Sequence, residues 1–160
     1  MAMGKKSTRE NKNIYQLSRE KLELTREGAE ELLPGMTADR IEKIESGKVT
    51  AHPEEILLMQ EGYGNPELYN YYCTHECPIG RRYVPEVRLR DISKISLEVL
   101  ASLNALEAQK NRLVDITVDG VISEDEKADF DAIRERLRSI AETAAALDMW
   151  MEAQTTREKQ

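Results

Sequence analysis

Thr37-Ala-Asp-Arg-Ile-Glu-Lys-Ile-Glu-Ser-Gly-Lys-Val-Thr-Ala-His-Pro53 carries start, stop and restart signals for helices within one short span. The Thr37 hydroxyl suits an N-cap, because its oxygen can accept a first-turn N–H that has no partner inside the helix. Ile41 and Ile44 stand three apart, so one face of the helix they define can sit on a core while the other stays free. Gly47 can adopt the positive φ that stops a helix sharply. Pro53 suits the first position of the next helix, where its missing N–H costs nothing.

Helical signals continue in both directions. Upstream, a helix is predicted over about Ile14 to Glu23, with Ile14, Leu17, Lys21 and Leu22 marking one face. Thr25 caps a second helix in which Gly28 and Ala29 allow close packing, and Pro34-Gly35 ends it. Downstream, Pro53 begins a fourth helix that passes through Ile56, Leu57 and Met59 to Gly62, and Pro66 opens a short fifth that reaches Tyr72. Residues 73–90 read as a loop broken by Pro78, Gly80 and Pro85.

Two long helices are predicted next, over about Asp91–Val114 and Ser123–Met151. Phe130, Ile133, Leu137, Ile140, Ala144, Leu147 and Met151 follow a 3–4 spacing, the pattern of a coiled-coil seam. Ile92, Ile95, Val99, Leu106 and Leu113 form a compatible stripe on the first helix. The short join predicts an antiparallel hairpin over residues 91–152, which would serve as a dimerisation element. Residues 1–12 read as a basic, disordered arm carrying Lys5, Lys6, Arg9 and Lys12, and residues 153–160 as a polar tail.

Bulk properties narrow the function classes. The chain has 160 residues, 40% of them hydrophobic and 33% charged, with few aromatics, which predicts a soluble all-α protein. No long uncharged apolar run is present, so no membrane association is expected. The polar start lacks the apolar core of a signal peptide, which points to the cytoplasm and to cysteines present as thiols. The net charge of −7 argues against a general nucleic-acid coat. Its distribution is uneven. Residues 1–52 hold ten Lys/Arg and nine Asp/Glu, whereas residues 91–160 hold nine and fifteen. The acidity sits in the C-terminal part, and the N-terminal part is free to approach phosphates.

The Thr37–Pro53 stretch, with Leu24-Thr25 before it, resembles the phage-repressor-type (Cro/CI-like, XRE-type) helix-turn-helix family. The matching positions are Thr37, Ile41, Ile44, Glu45, Gly47 and Pro53. The resemblance covers about residues 13–70 and implies a five-helix lambda-repressor-like domain, placed here at 13–72. It implies a sequence-specific transcriptional regulator that binds double-stranded DNA with helix three in the major groove. Thr37, Ala38, Asp39 and Arg40 would then face bases, with Lys43 on the flank. Thr25, Arg26 and Lys48 would meet phosphate. Arg40 could make a bidentate contact to guanine, and Asp39 or Glu42 could accept from cytosine. Glu45 is expected to be structural. The stretch from Ala29 to Thr37 is longer than is usual in that family and holds Pro34. A module of this size implies a homodimer on DNA.

The alternative is a protein-interaction scaffold that uses the same domain and docks a protein partner through the hairpin, without DNA. Arg81, Arg82, Arg88 and Arg90 either add phosphate contacts or are solvated surface. Cys73-Thr-His-Glu-Cys77 offers three zinc-type ligands, with His52 as the other histidine, or two small buried thiols, or a redox pair. No metal or other cofactor is expected. Asp115 to Glu126 resembles a calcium-binding EF-hand loop at Asp115, Asp119, Gly120, Ile122, Ser123 and Glu126, with Thr117 departing from it. The same residues also make an Asp-Gly turn and a capping box from Ser123 to Glu126. No catalytic constellation is present, and no enzyme is expected.

Overall fold

The structure is a computed structural model that describes residues 11–158, so the basic arm expected over 1–12 lies almost wholly outside the described residues. All regular structure among the described residues is helical. No described helix is long and apolar enough to cross a membrane. The described residues form two compact units, 11–86 with 152–158, and 87–151.

The first unit contains α1 (Ile14–Lys21), α2 (Arg26–Leu32), α3 (Ala38–Glu45), α4 (Pro53–Tyr63), α5 (Glu67–Tyr71) and α6 (Gly80–Tyr83). Its starts follow local chemistry. Asn13, Thr25 and Thr37 each accept a backbone N–H three residues on, from Gln16, Gly28 and Arg40. Pro53 is the first residue of α4, and α3 closes through Gly47 at φ +73. Ala29, Leu33, Met36, Ile41, Ile44, Ile56, Met59 and Leu68 form the core, with Tyr15 and Tyr63. Burial of these side chains supplies most of the unit's stability, at roughly 1.5–3 kcal/mol for each large one.

The inward face of α1 differs from the expected one. Leu17 and Leu22 are exposed, whereas Tyr15, Gln16, Ser18, Arg19 and Glu20 are buried. The reason is a polar network that apolar periodicity does not register. Gln16 donates to Glu20 at 2.8 Å, Lys12 pairs with Glu20 at 2.6 Å, and Arg19 reaches Glu45. Asn13 adds a hydrogen bond from its Nδ2 to the Ile44 carbonyl at 2.9 Å, tying α1 to the end of α3.

Residues expected as a loop also differ. Tyr72–Glu76 forms a π-helical turn, with Cys77 N–H donating to the Tyr72 carbonyl at 2.9 Å, and α6 follows. Gly80 makes this possible, because a Cβ there would lie 2.2 Å from the Cys73 carbonyl oxygen. Asn70 holds the exit of the segment by donating to the Pro85 carbonyl at 2.9 Å.

The second unit contains α7 (Ile92–Glu107), α8 (Lys110–Thr117) and most of α9 (Lys127–Glu158). The single helix expected over 91–114 is interrupted at Ala108-Gln109. There Gln109 N–H turns back to Leu106 at 2.9 Å, and Leu113 N–H restarts the helix from Gln109 at 3.0 Å. Ser102 meets Ser139, and Arg112 pairs with Asp129 at 2.7 Å, so α9 returns alongside α8 and α7. The helix expected from Ser123 begins at Lys127 and runs past Met151. Its buried positions are also shifted from the predicted seam. Ile133 is buried as predicted, but farther along Thr143, Ala146 and Met149 are the buried positions, whereas Leu137 and Met151 are exposed at 44% and 55%. A stripe of apolar residues marks a helix but fixes its rotation only to within about one residue, and here the neighbours decided it.

Candidate functional site

The site to which the sequence points lies on α2, α3 and the turn between them. Leu33 and Met36, on either side of Pro34-Gly35, are both buried, so the longer turn is anchored at each end. On α3, Ile41, Ile44 and Glu45 face inward, while Asp39 is exposed and Ala38, Arg40, Glu42 and Lys43 are half-exposed.

Two capping interactions set the start of α3. Thr37 Oγ1 accepts the Arg40 N–H at 3.2 Å, and Glu30 Oε2, from α2, accepts the Ala38 N–H at 2.8 Å. Glu30 thus fixes α3 to α2, a contact the sequence reading missed. The signal was a carboxylate on the last turns of one helix shortly before the next helix begins.

Glu45 is the electrostatic anchor. Arg19 grips it with two prongs, Nε to Oε1 at 2.5 Å and Nη2 to Oε2 at 2.9 Å. Arg26 adds its Nε to Oε2 at 2.9 Å. The Glu45 side chain is 1% exposed and that of Arg19 8%. A carboxylate so far from water requires the partners it has. The expectation that Glu45 is structural holds, and Arg26 shares in that role.

The three further cations expected on α3 and just after it, Arg40, Lys43 and Lys48, each have an in-chain carboxylate. Arg40 gives Nε to Glu55 Oε1 at 2.7 Å and Nη2 to Oε2 at 2.8 Å. The same guanidinium reaches the Thr50 carbonyl at 3.3 Å. Glu55 also accepts the His52 N–H at 2.7 Å, so this pair fixes α3 against the start of α4. The Arg40 guanidinium holds the Glu55 carboxyl below its ordinary range. Lys43 pairs with Asp39 at 2.6 Å and Lys48 with Glu42 at 3.1 Å, both well exposed. Thr25 Oγ1 is occupied by the Gly28 N–H at 3.0 Å.

Elsewhere, the ligand-like residues have other work. His75 stacks on Tyr71 at 4.4 Å between ring centres, and its Nδ1 lies 2.9 Å from Thr74 Oγ1. Cys73 and Cys77 are free, half-buried thiols, and Cys77 Sγ accepts the Gly80 N–H at 3.4 Å. Burial pushes the Cys73 thiol up, away from the reactive thiolate. Glu76, between them, accepts the Tyr15 hydroxyl at 3.0 Å, and burial raises its carboxyl. In the 115–126 segment, Asp119 accepts the Val121 N–H at 3.0 Å and Gly120 takes φ +74. Glu126 turns back to accept both the N–H and the hydroxyl of Ser123, at 3.0 and 2.5 Å. Among the described residues, no three His, Cys, Asp or Glu side chains converge as a metal site. Comparison of the chain with protein-family models, curated proteins and solved structures returned no match.

Proposed function

We propose that the first unit is a helix-turn-helix module of phage-repressor type and that the chain is a DNA-binding transcriptional regulator. One observation carries this reading. The α2–turn–α3 element is clamped from behind by Ile41, Ile44 and the buried Arg19–Glu45 pair, and its opposite side is turned to solvent, with Asp39 exposed and Lys43 and Lys48 held only in surface ion pairs.

In this reading Thr37, Ala38 and Asp39 face base edges with Lys43 on the flank, while Thr25, Arg26 and Lys48 lie towards phosphate. The two lysines can exchange partners at little cost, because exposed ion pairs contribute about 0–1 kcal/mol. Arg40 is different. Both its prongs are on Glu55, so a guanine contact requires that bidentate pair to open, and its first role is to position α3. A single module buries little duplex surface, so two copies act together on adjacent half-sites.

A second reading, the protein-interaction scaffold, is favoured by a specific count. Across α2, α3 and Lys48, Arg26, Arg40, Lys43 and Lys48 stand beside five outward carboxylates: Glu27, Glu30, Glu31, Asp39 and Glu42. That surface is not basic, as a nonspecific DNA binder's would be. Selection of bound sequences from random duplex DNA separates the two. Enrichment of one motif, with Lys48→Ala weakening all sequences alike and lowering the salt slope by about one, supports the DNA reading. A folded protein that enriches nothing at low salt overturns it.

A further inference from the structure

The two sides of α7 differ in chemistry. Ile95 is buried, and Ile92, Val99, Ser102 and Leu106 are half-buried beside it. On the opposite side Leu97, Leu100 and Leu103 stand in line at intervals of three and are 68%, 58% and 48% exposed. Single exposed leucines are ordinary, but three in one row on one helix are an apolar patch. The outward side of α9 shows what a solvated helix in the same unit looks like. There Asp131–Arg134 and Glu135–Arg138 pair along the surface.

We propose that this face of α7 is the surface on which two copies of the chain pair, antiparallel, about a two-fold axis at Leu100. The charge pattern selects the occupant. Lys94 lies about a turn before Leu97 and Glu107 about a turn after Leu103, both exposed. Between them the outward side carries only Ser96, the leucines, Ala101 and Asn104. Antiparallel pairing sets Leu97 against Leu103 and Ser96 against Asn104 of the second copy, and brings Lys94 beside its Glu107. Every contact then occurs twice, as a two-fold interface requires. Parallel pairing would set Lys94 beside Lys94 of the second copy. Farther out, Glu98 holds Arg90 at 2.8 Å, and Lys110 shares Glu107 at 2.5 Å in an exposed pair that leaves the carboxylate open to a second cation at little cost. The inference specifies the two-copy part of the reading above, and it places the seam on α7 rather than on the Phe130–Met151 stripe.

Sedimentation equilibrium of the full chain without DNA tests this. The wild type should be a dimer at micromolar concentrations, and a monomer there overturns the proposal. Leu100→Glu should raise the dissociation constant by at least about a hundredfold, because each substitution acts on both copies of the seam. Its circular dichroism should be unchanged, since Leu100 is 58% exposed. Lys94→Glu and Glu107→Lys should each weaken association, and the double reversal should restore it. A dimer that survives Leu100→Glu, or that the double reversal fails to restore, overturns the pairing. Leu137→Glu, on α9, should leave the mass unchanged. A normal dimer that enriches no DNA motif would instead strike the function proposed above and leave this interface standing.

Discussion

The two units use charge in opposite ways. In the first, ion pairs and polar contacts join residues far apart in the chain: Arg19 with Glu45, Arg40 with Glu55, Tyr15 with Glu76. In the second, Asp131–Arg134 and Glu135–Arg138 join residues three apart on α9, Glu107–Lys110 and Glu124–Lys127 join residues three apart at helix ends, and Arg112–Asp129 is an exposed crossing pair. Long-range buried pairs hold one helix at a set angle to another, and removing one partner leaves a charge without water. Short-range exposed pairs support a helix wherever it lies and are screened by salt. The first unit therefore has a fixed geometry around α3, whereas the second has helices whose surfaces remain open to a partner.

That contrast can be broken most directly at Glu45. Glu45→Ala strands the buried Arg19 guanidinium and should lower the first unit's stability by about 3–5 kcal/mol in chemical denaturation. A loss below about 1 kcal/mol would mean that the pair is no anchor. Next in size, Ile133→Ala should cost about 2–4 kcal/mol, because the side chain is 1% exposed, while Leu137→Ala should cost well under half of that. Equal effects would return the α9 seam to the rotation read from its apolar pattern.

Two carboxyls in the first unit sharpen the comparison through pH. Glu55 is held low by Arg40, so its contribution is present above the ordinary carboxylate value and lost as pH falls through the lowered one. Glu76 is raised by burial, which outweighs the Tyr15 hydroxyl. Its contribution is present when protonated and lost as pH rises from the ordinary value through the raised one. Glu76→Gln, which keeps an acceptor for Tyr15, should therefore remove a decline in melting temperature on the upward side of that range. A melting curve whose pH dependence is the same in both proteins would count against the raised value. The smallest effect is expected in the second unit: Arg134→Ala should change stability by at most about 0.5 kcal/mol. A loss above about 1.5 kcal/mol would show that its surface pairs matter as much as those around α3.

How far the sequence reaches follows the range of the interaction involved. Thr25, Thr37, Gly47 and Pro53 act within three or four residues, and each sits where local chemistry predicts. The inward positions of α3, Ile41 and Ile44, follow from the same short range. On α1 the polar residues went inside because Glu45 lay opposite, 26 residues later, and no window of sequence contains both. Arg40 shows the same limit at the candidate site. Its position on α3 was legible, but its engagement by Glu55 required α3 and α4 to be folded together.

From the sequence alone came the helical class, the ends of α2 and α3, the start of α4 and the separation of a mixed-charge first part from an acidic second. These depend on caps, breakers and composition, which are properties of neighbouring residues. The tertiary structure alone decided which face of α1 and α9 is buried, the π-helical turn built on Gly80, the pairing of every cation around α3, and the exposure of the α7 leucines. Burial and ion pairing are set by what lies across from a side chain in space, and in this chain that neighbour is often many residues away.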